Sequence, residues 1–154
     1  MKATKITLAL ALCLVGVVVC YASDPNMGMW KLNEAKSRFS TGATKNTTVV
    51  YEPAGDQVKV TTDGTTGDGK PVHTEWTGKF DGKDYPVIGD ASVDTRSYKR
   101  VDDRTLDLTN KKDAKVTTSA HIVVSADGKS RTVTVRATTA DGKTVSSTAI
   151  YDKQ

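Results

Sequence analysis

Cysteine is almost missing from this sequence, and the gap excludes a great deal. The chain of 154 residues has two, Cys13 and Cys20, and both lie in its first 22 residues. Beyond that point no disulfide, thiol nucleophile or cysteine-ligated metal can be built. The remaining stretch, about 130 residues, must hold together by core packing alone, and that length is enough for one domain. Aromatic residues are scarce too, at 6% of the chain. Charge of one sign is nowhere concentrated: the net charge is +4, with lysines spread along the chain. That describes a solvated surface and argues against a nucleic-acid or membrane-binding patch.

What is present begins with one long apolar run. Met1-Lys2-Ala3-Thr4-Lys5 is a short basic start, Ile6 to Val19 is almost wholly apolar, and Cys20-Tyr21-Ala22 places small residues three and one before a cut. This is the layout of a bacterial secretory signal peptide. The run is too short for a membrane span of roughly 20 residues. The expectation is cleavage after Ala22, leaving residues 23–154 as a single domain in the periplasm or outside the cell. A lipoprotein acylated at Cys20 is the alternative, although Val19 stands where the lipidation motif has Gly, Ala or Ser.

After residue 40 apolar and polar residues alternate, as in Gln57-Val58-Lys59-Val60-Thr61-Thr62 and Arg131-Thr132-Val133-Thr134-Val135-Arg136-Ala137. A period of two marks half-buried strands, and the abundance of Thr and Val suits a pleated surface. Asp-Gly-Lys recurs at 68–70, 81–83, 127–129 and 141–143. Asp-Gly favours hairpin turns because glycine adopts positive φ freely. A calcium reading of these loops fails on the Asp63–Gly69 stretch, which lacks the alternating carboxylates and closing Glu of an EF-hand. Strands are expected near 28–33, 45–53, 57–63, 71–80, 84–88, 93–100, 104–110, 114–125, 130–139 and 143–152, with a helical turn only at 34–41. Every connection is too short for a parallel crossover, so sequence neighbours must pair antiparallel. Such an all-β meander closes most simply into an up-and-down antiparallel β-barrel of about eight to ten strands. A two-sheet β-sandwich is the alternative.

Gly28-Met29-Trp30 near the start of this meander resembles the opening of the calycins, the lipocalins and fatty-acid-binding proteins. Gly28-Met29-Trp30-Lys31-Leu32 is similar to the start of the latter, and Thr148 to Lys153 resembles their last strand. The chain, with Asp81-Gly82-Lys83-Asp84-Tyr85-Pro86-Val87, also resembles a group of exported bacterial proteins. The resemblance implies a barrel whose closed end is plugged by Trp30. It departs from the fatty-acid-binding pattern at the last strand. The Arg-x-Tyr that holds a carboxylate in those proteins is matched here by Ala149, Ile150 and Tyr151, so the charge-assisted contact is lost at that position. Residues 34–44 are also too few for those proteins' two-helix lid.

Parity assigns the faces. Val72, Thr74, Trp76, Gly78 and Phe80 share one face, with His73, Glu75, Thr77 and Lys79 on the other. The aromatic face is the expected interior. The same logic turns Val58, Val60, Leu106, Leu108, Val116, Ala120, Ile122, Val133, Val135, Ala137, Val145, Ala149 and Tyr151 inward. A barrel of about eight strands is just wide enough to be filled or to hold one small ligand. If there is a cavity, Trp76, Phe80, Tyr98 and Tyr151 are its expected lining, since amphipathic aromatics offer contact area and a polar tip. His73 and His121 fall on the outward face; two such ligands do not make a zinc site. Nothing resembles a nucleophile elbow, so no catalytic residue, metal or cofactor is assigned. Asn46-Thr47-Thr48 matches a glycosylation acceptor, a chance match if the signal is bacterial. The expectation is a non-enzymatic exported protein binding a small, mostly apolar ligand. A filled barrel acting through its surface, as an interaction or envelope-structural module, is the alternative. An enzyme using His73 or His121 at the barrel mouth is a third reading.

Overall fold

The computed structural model describes residues 24–139 and 142–154. The expected signal peptide with Cys20 lies outside the described residues, as does Asp141 of the fourth Asp-Gly-Lys turn. The strands are β1 (Gly28–Leu32), β2 (Lys45–Ala54), β3 (Gln57–Thr65), β4 (Pro71–Gly78), β5 (Tyr85–Ile88), β6 (Thr95–Asp102), β7 (Thr105–Lys112), β8 (Lys115–Val124), β9 (Ser130–Thr138) and β10 (Thr144–Lys153). A single 3₁₀ turn, Glu34–Lys36, follows β1, shorter than the helical turn expected at 34–41. Each strand pairs antiparallel with its sequence neighbour, and β1 also pairs with β10, placing Trp30 opposite Lys153 and Leu32 opposite Tyr151. The sheet is therefore a closed barrel and not a two-sheet sandwich. Closure gives every strand a partner on both sides, although the short β5 pairs with β4 and with β6 at only two positions each.

Two details of the strands follow from local chemistry. At the β4 end, Gly78 lets the Tyr85 ring lie flat against the strand: a Cβ there would stand 2.6 Å from the Tyr85 and Trp76 rings. Phe80 accordingly falls beyond β4, where its carbonyl accepts from Arg100 N–H of β6 at 3.1 Å. On β8, the register against β7 slips between Asn110 and Lys111, leaving Thr117 as an extra residue. Such a bulge reverses parity beyond it. Val116, expected inside, is consequently 55% exposed, and Thr117 turns toward the interior instead.

The interior has two unequal halves. The end that carries the β2–β3, β4–β5, β6–β7 and β8–β9 turns is packed with large side chains: Trp30, Tyr51, Val60, Trp76, Tyr98, Leu106, Ile122, Val124 and Tyr151 are all buried. The segment before β1 straps across this end. Asn26 is fully buried, and its side-chain amide reaches the Asp103 carbonyl at 3.5 Å. Its carbonyl accepts from the Trp30 indole N–H at 2.9 Å. Asp24 pairs with Arg100, and Lys153 donates to the Pro25 carbonyl at 3.1 Å. Trp30 thus sits, wholly buried, under a polar strap that closes the barrel.

Candidate functional site

The other half of the barrel is open. Moving two residues along a strand keeps a side chain inside but shifts it toward the mouth. Along β4 that step replaces Trp76 with Thr74; along β3, Val60 with Thr62; along β8, Ile122 with Ala120; along β10, Ala149 with Ser147. In three of these four steps the side chain nearer the mouth is the smaller, and space appears. The result is a cavity of about 490 Å³ lined by these small residues, by Leu108, Val133, Val135 and Val145, and by the polar side chains of Arg96 and Asn110. The segment Phe39–Thr44 and the turn around Asp90–Val93 form its rim. A volume of this size lies within the range of small-molecule sites, roughly 300–1,000 Å³.

Trp76, Phe80, Tyr98 and Tyr151, the aromatic residues expected to line such a space, lie outside this cavity's lining. Three of them pack on one another instead: Tyr98 meets Trp76 edge-on at 4.7 Å between centroids, and Phe80 stacks on Trp76 at 6.4 Å. Their polar tips are used within the protein. The Trp76 indole donates to the Arg96 carbonyl at 2.9 Å, and the Tyr151 hydroxyl donates to the Asn46 carbonyl at 2.9 Å. Burial pushes the Tyr98 hydroxyl far above the ordinary range and the Tyr151 hydroxyl up to about 12, so both are neutral at physiological pH. The physical reason for the displacement is mutual: large rings shed more water against one another than around a half-empty space. They form the packed half beneath the cavity and not its wall.

Tyr151 stands apart from that trio and joins a second arrangement. The Arg131 guanidinium lies 4.8 Å from the Trp30 and Tyr151 ring centres and 5.0 Å from that of Tyr51. Arg131 is buried, and its Nε and Nη1 have no hydrogen-bond partner. Three aromatic faces are what holds this charge.

Arg131 and Arg96 were both missed as interior residues by their charge. Parity could have found them: Arg131 is two residues from Val133, and Arg96 two from Tyr98, both inward. Asn110 was missed for a similar reason. Its Oδ1 accepts from Arg96 Nε at 2.8 Å, a contact that only the β6–β7 register creates.

The histidines point outward, as parity requires. His73 Nδ1 lies 2.6 Å from Asp63 Oδ1, and His121 Nδ1 lies 2.7 Å from Asp107 Oδ1. In each case the aspartate is directly opposite on the adjacent strand. The hydrogen bond to Asp63 raises the His73 imidazole above its ordinary range. Neither histidine lines the cavity. Among the described residues no group of three or more metal-ligating side chains comes together. Asn46 of the Asn-Thr-Thr match lines the cavity.

No protein-family model and no curated protein matches this sequence. Among solved structures the chain is similar to a redesigned β-barrel, mFAP1, bound to DFHBI, at 17% identity and a TM-score of 0.44, over 84% of this chain and 95% of that one. It is similar to EF1p2_mFAP2b bound to DFHBI at 11% identity and a TM-score of 0.48, over 86% of this chain and 97% of that one. It is also similar to a de novo designed fluorescence-activating β-barrel at 15% identity and a TM-score of 0.39, over 83% of this chain and 93% of that one.

Proposed function

We propose that this chain is an exported, non-enzymatic binding protein that carries one small, mostly apolar molecule in the open half of its barrel. The observation behind this reading is the division of the interior, with large side chains packed at one end and a cavity of about 490 Å³ at the other. A barrel stabilised for its own sake gains by filling both ends, because each unfilled site forfeits dispersion contacts. Here the packed half gives rigidity, and a rigid wall is what a preformed site needs. The Gly28-Met29-Trp30 opening and the buried Trp30 support kinship with calycin carriers, and the basic and apolar start of the chain supports export.

Native mass spectrometry tests the reading on protein produced with its whole N-terminal segment and purified gently from the cell envelope and medium. The expected spectrum shows a reproducible non-covalent mass. That mass should disappear in Val135→Trp, which places a large ring in the cavity from a half-buried lining position. A bare chain in both proteins would overturn the carrier reading and move attention to the outer surface. The same spectrum shows whether the chain starts at Ser23 or at a lipid-modified Cys20.

A further inference from the structure

Resting on the carrier reading, the geometry points to the chemical class of the ligand: an uncharged ring compound, apolar along one side and carrying several hydroxyl groups along the other, as in an aryl glycoside. In a closed ring of ten strands, those five places apart face each other across the axis, so β9 faces β4 and β8 faces β3. The two sides of the cavity differ in chemistry. On one side β9 supplies Val133, Val135 and Ala137, with Ala120 of β8 and Val145 of β10 beside them. Across the axis from β8 stands Thr62 of β3, 5% exposed, with Asn46 of the adjacent β2. Arg96 of β6 and Asn110 of β7 extend the polar arc, with the aliphatic Val72 of β4 between them and Thr62.

Charge sets the first limit. Arg96, buried, and Asp90, half-buried, are the two ionisable residues in the described lining. Their charges cancel over the site, so a charged ligand would bring a charge with nothing to balance it. Hydrogen bonding sets the second limit. Asn110 Oδ1 accepts from Arg96 Nε at 2.8 Å, which leaves the Asn110 amide N–H groups and the Arg96 Nη donors. Asp90 Oδ1 accepts from Ser92 N–H and Oγ–H at 2.8 and 2.6 Å, which leaves Oδ2 as an acceptor. The Thr62 hydroxyl and the Asn46 side-chain amide have no partner among the described residues. This arc therefore offers donors and acceptors together. A hydroxyl donates and accepts at a single uncharged atom, so several hydroxyls satisfy the mixed set without adding charge. On the aliphatic side the Ser147 hydroxyl is taken up by the N–H and Oγ of Ser40, at 3.0 and 3.1 Å, so C–H groups fit there. A ring presents both sides at once, whereas an open-chain polyol loses more conformational freedom on binding.

The test is isothermal calorimetry with four probes. Phenyl glucoside and phenyl galactoside carry the hydroxyls, 2-phenoxytetrahydropyran keeps the two rings without them, and phenyl glucuronide adds a carboxylate to the same frame. Wild-type protein should bind one or both glycosides about tenfold or more tightly than the last two probes, because a site built to hydrogen-bond a hydroxyl rejects the analogue lacking it. Thr62→Val, which keeps the shape of the side chain, should weaken the glycosides several-fold and leave 2-phenoxytetrahydropyran unchanged. Should Thr62→Val fail to fold by circular dichroism, the wild-type ratios decide. Equal or tighter binding of 2-phenoxytetrahydropyran or of the glucuronide to wild-type protein would overturn the hydroxyl assignment and leave the carrier reading standing. Binding of none of the four would overturn it as well, and the co-purified mass in the native spectrum then decides the carrier reading by itself.

Discussion

Arg131 shows at residue scale how packing and charge divide the work. Its guanidinium sits among three aromatic faces, Trp30, Tyr51 and Tyr151, with two buried donors unmet. Each unmade buried hydrogen bond costs about 1–3 kcal/mol. Each desolvated cation–π contact returns about 1–2 kcal/mol. The two sums are close, so the charge by itself is nearly neutral for stability, and the volume between the rings is what matters. Arg131→Met, which keeps most of that volume, should therefore change the unfolding free energy by less than about 1 kcal/mol. Arg131→Ala, which leaves a void between three rings, should cost about 3 kcal/mol. Urea denaturation of both variants checks this, and equal losses would mean that the charge and not the volume holds the rings together.

At the scale of elements, the turn between β7 and β8 is the least comfortable. Lys112 pairs with Lys115, so the loop is the two residues Asp113 and Ala114, with φ of 49° and 62°. A two-residue turn with both φ values positive matches the right-handed twist of the strands, but it favours Asn-Gly or Asp-Gly. Ala114 holds the second position at the expense of its Cβ. Ala114→Gly should raise stability by about 0.5–1 kcal/mol, measured as a higher urea midpoint with an unchanged slope. A lower midpoint would show that the backbone entropy added by glycine outweighs the relief. This turn also explains one misplacement. The expected strands 104–110 and 114–125 left the break at 111–113, whereas the turn falls at Asp113-Ala114, because the alanine carries no turn signal. The neighbouring bulge at Thr117 likewise had none, and it alone put Val116 outside.

For the whole molecule, the strap before β1 covers the packed end of the barrel. Burial pushes the Asp24 carboxyl up, but hydrogen bonds from the Asn26 backbone and the Arg100 guanidinium outweigh that and hold it below the ordinary carboxylate range. A carboxyl lowered in the folded state stabilises above its unfolded value, about 3.9. That stability is lost as the pH falls through the folded value. Asp24→Asn should cost about 1 kcal/mol at pH 7, the scale of a partly exposed charge-assisted hydrogen bond. The gap between variant and wild type should close progressively below about pH 3.9. Thermal melts of both proteins at pH 7 and pH 3 check it. A gap that stays constant would mean that the contact acts through shape and not through charge.

Alternation along the chain determined the ten strands, their antiparallel pairing and most of the inward list, because a period of two and short connections leave an all-β meander few other arrangements. Each strand lies within two residues of its expected bounds at either end. The aromatic positions were also legible as interior, since Trp76, Tyr98 and Tyr151 are buried and Phe80 packs against them. Tertiary structure decided the remainder. Parity says in or out and carries no information about height along the barrel axis, which depends on how far each strand is sheared against the next. Only the assembled register placed the large rings together at one end and left the small residues around a cavity at the other. The same register brought Asn110 beside Arg96 and set three rings around Arg131. Two cations that composition alone assigns to the surface are therefore held inside.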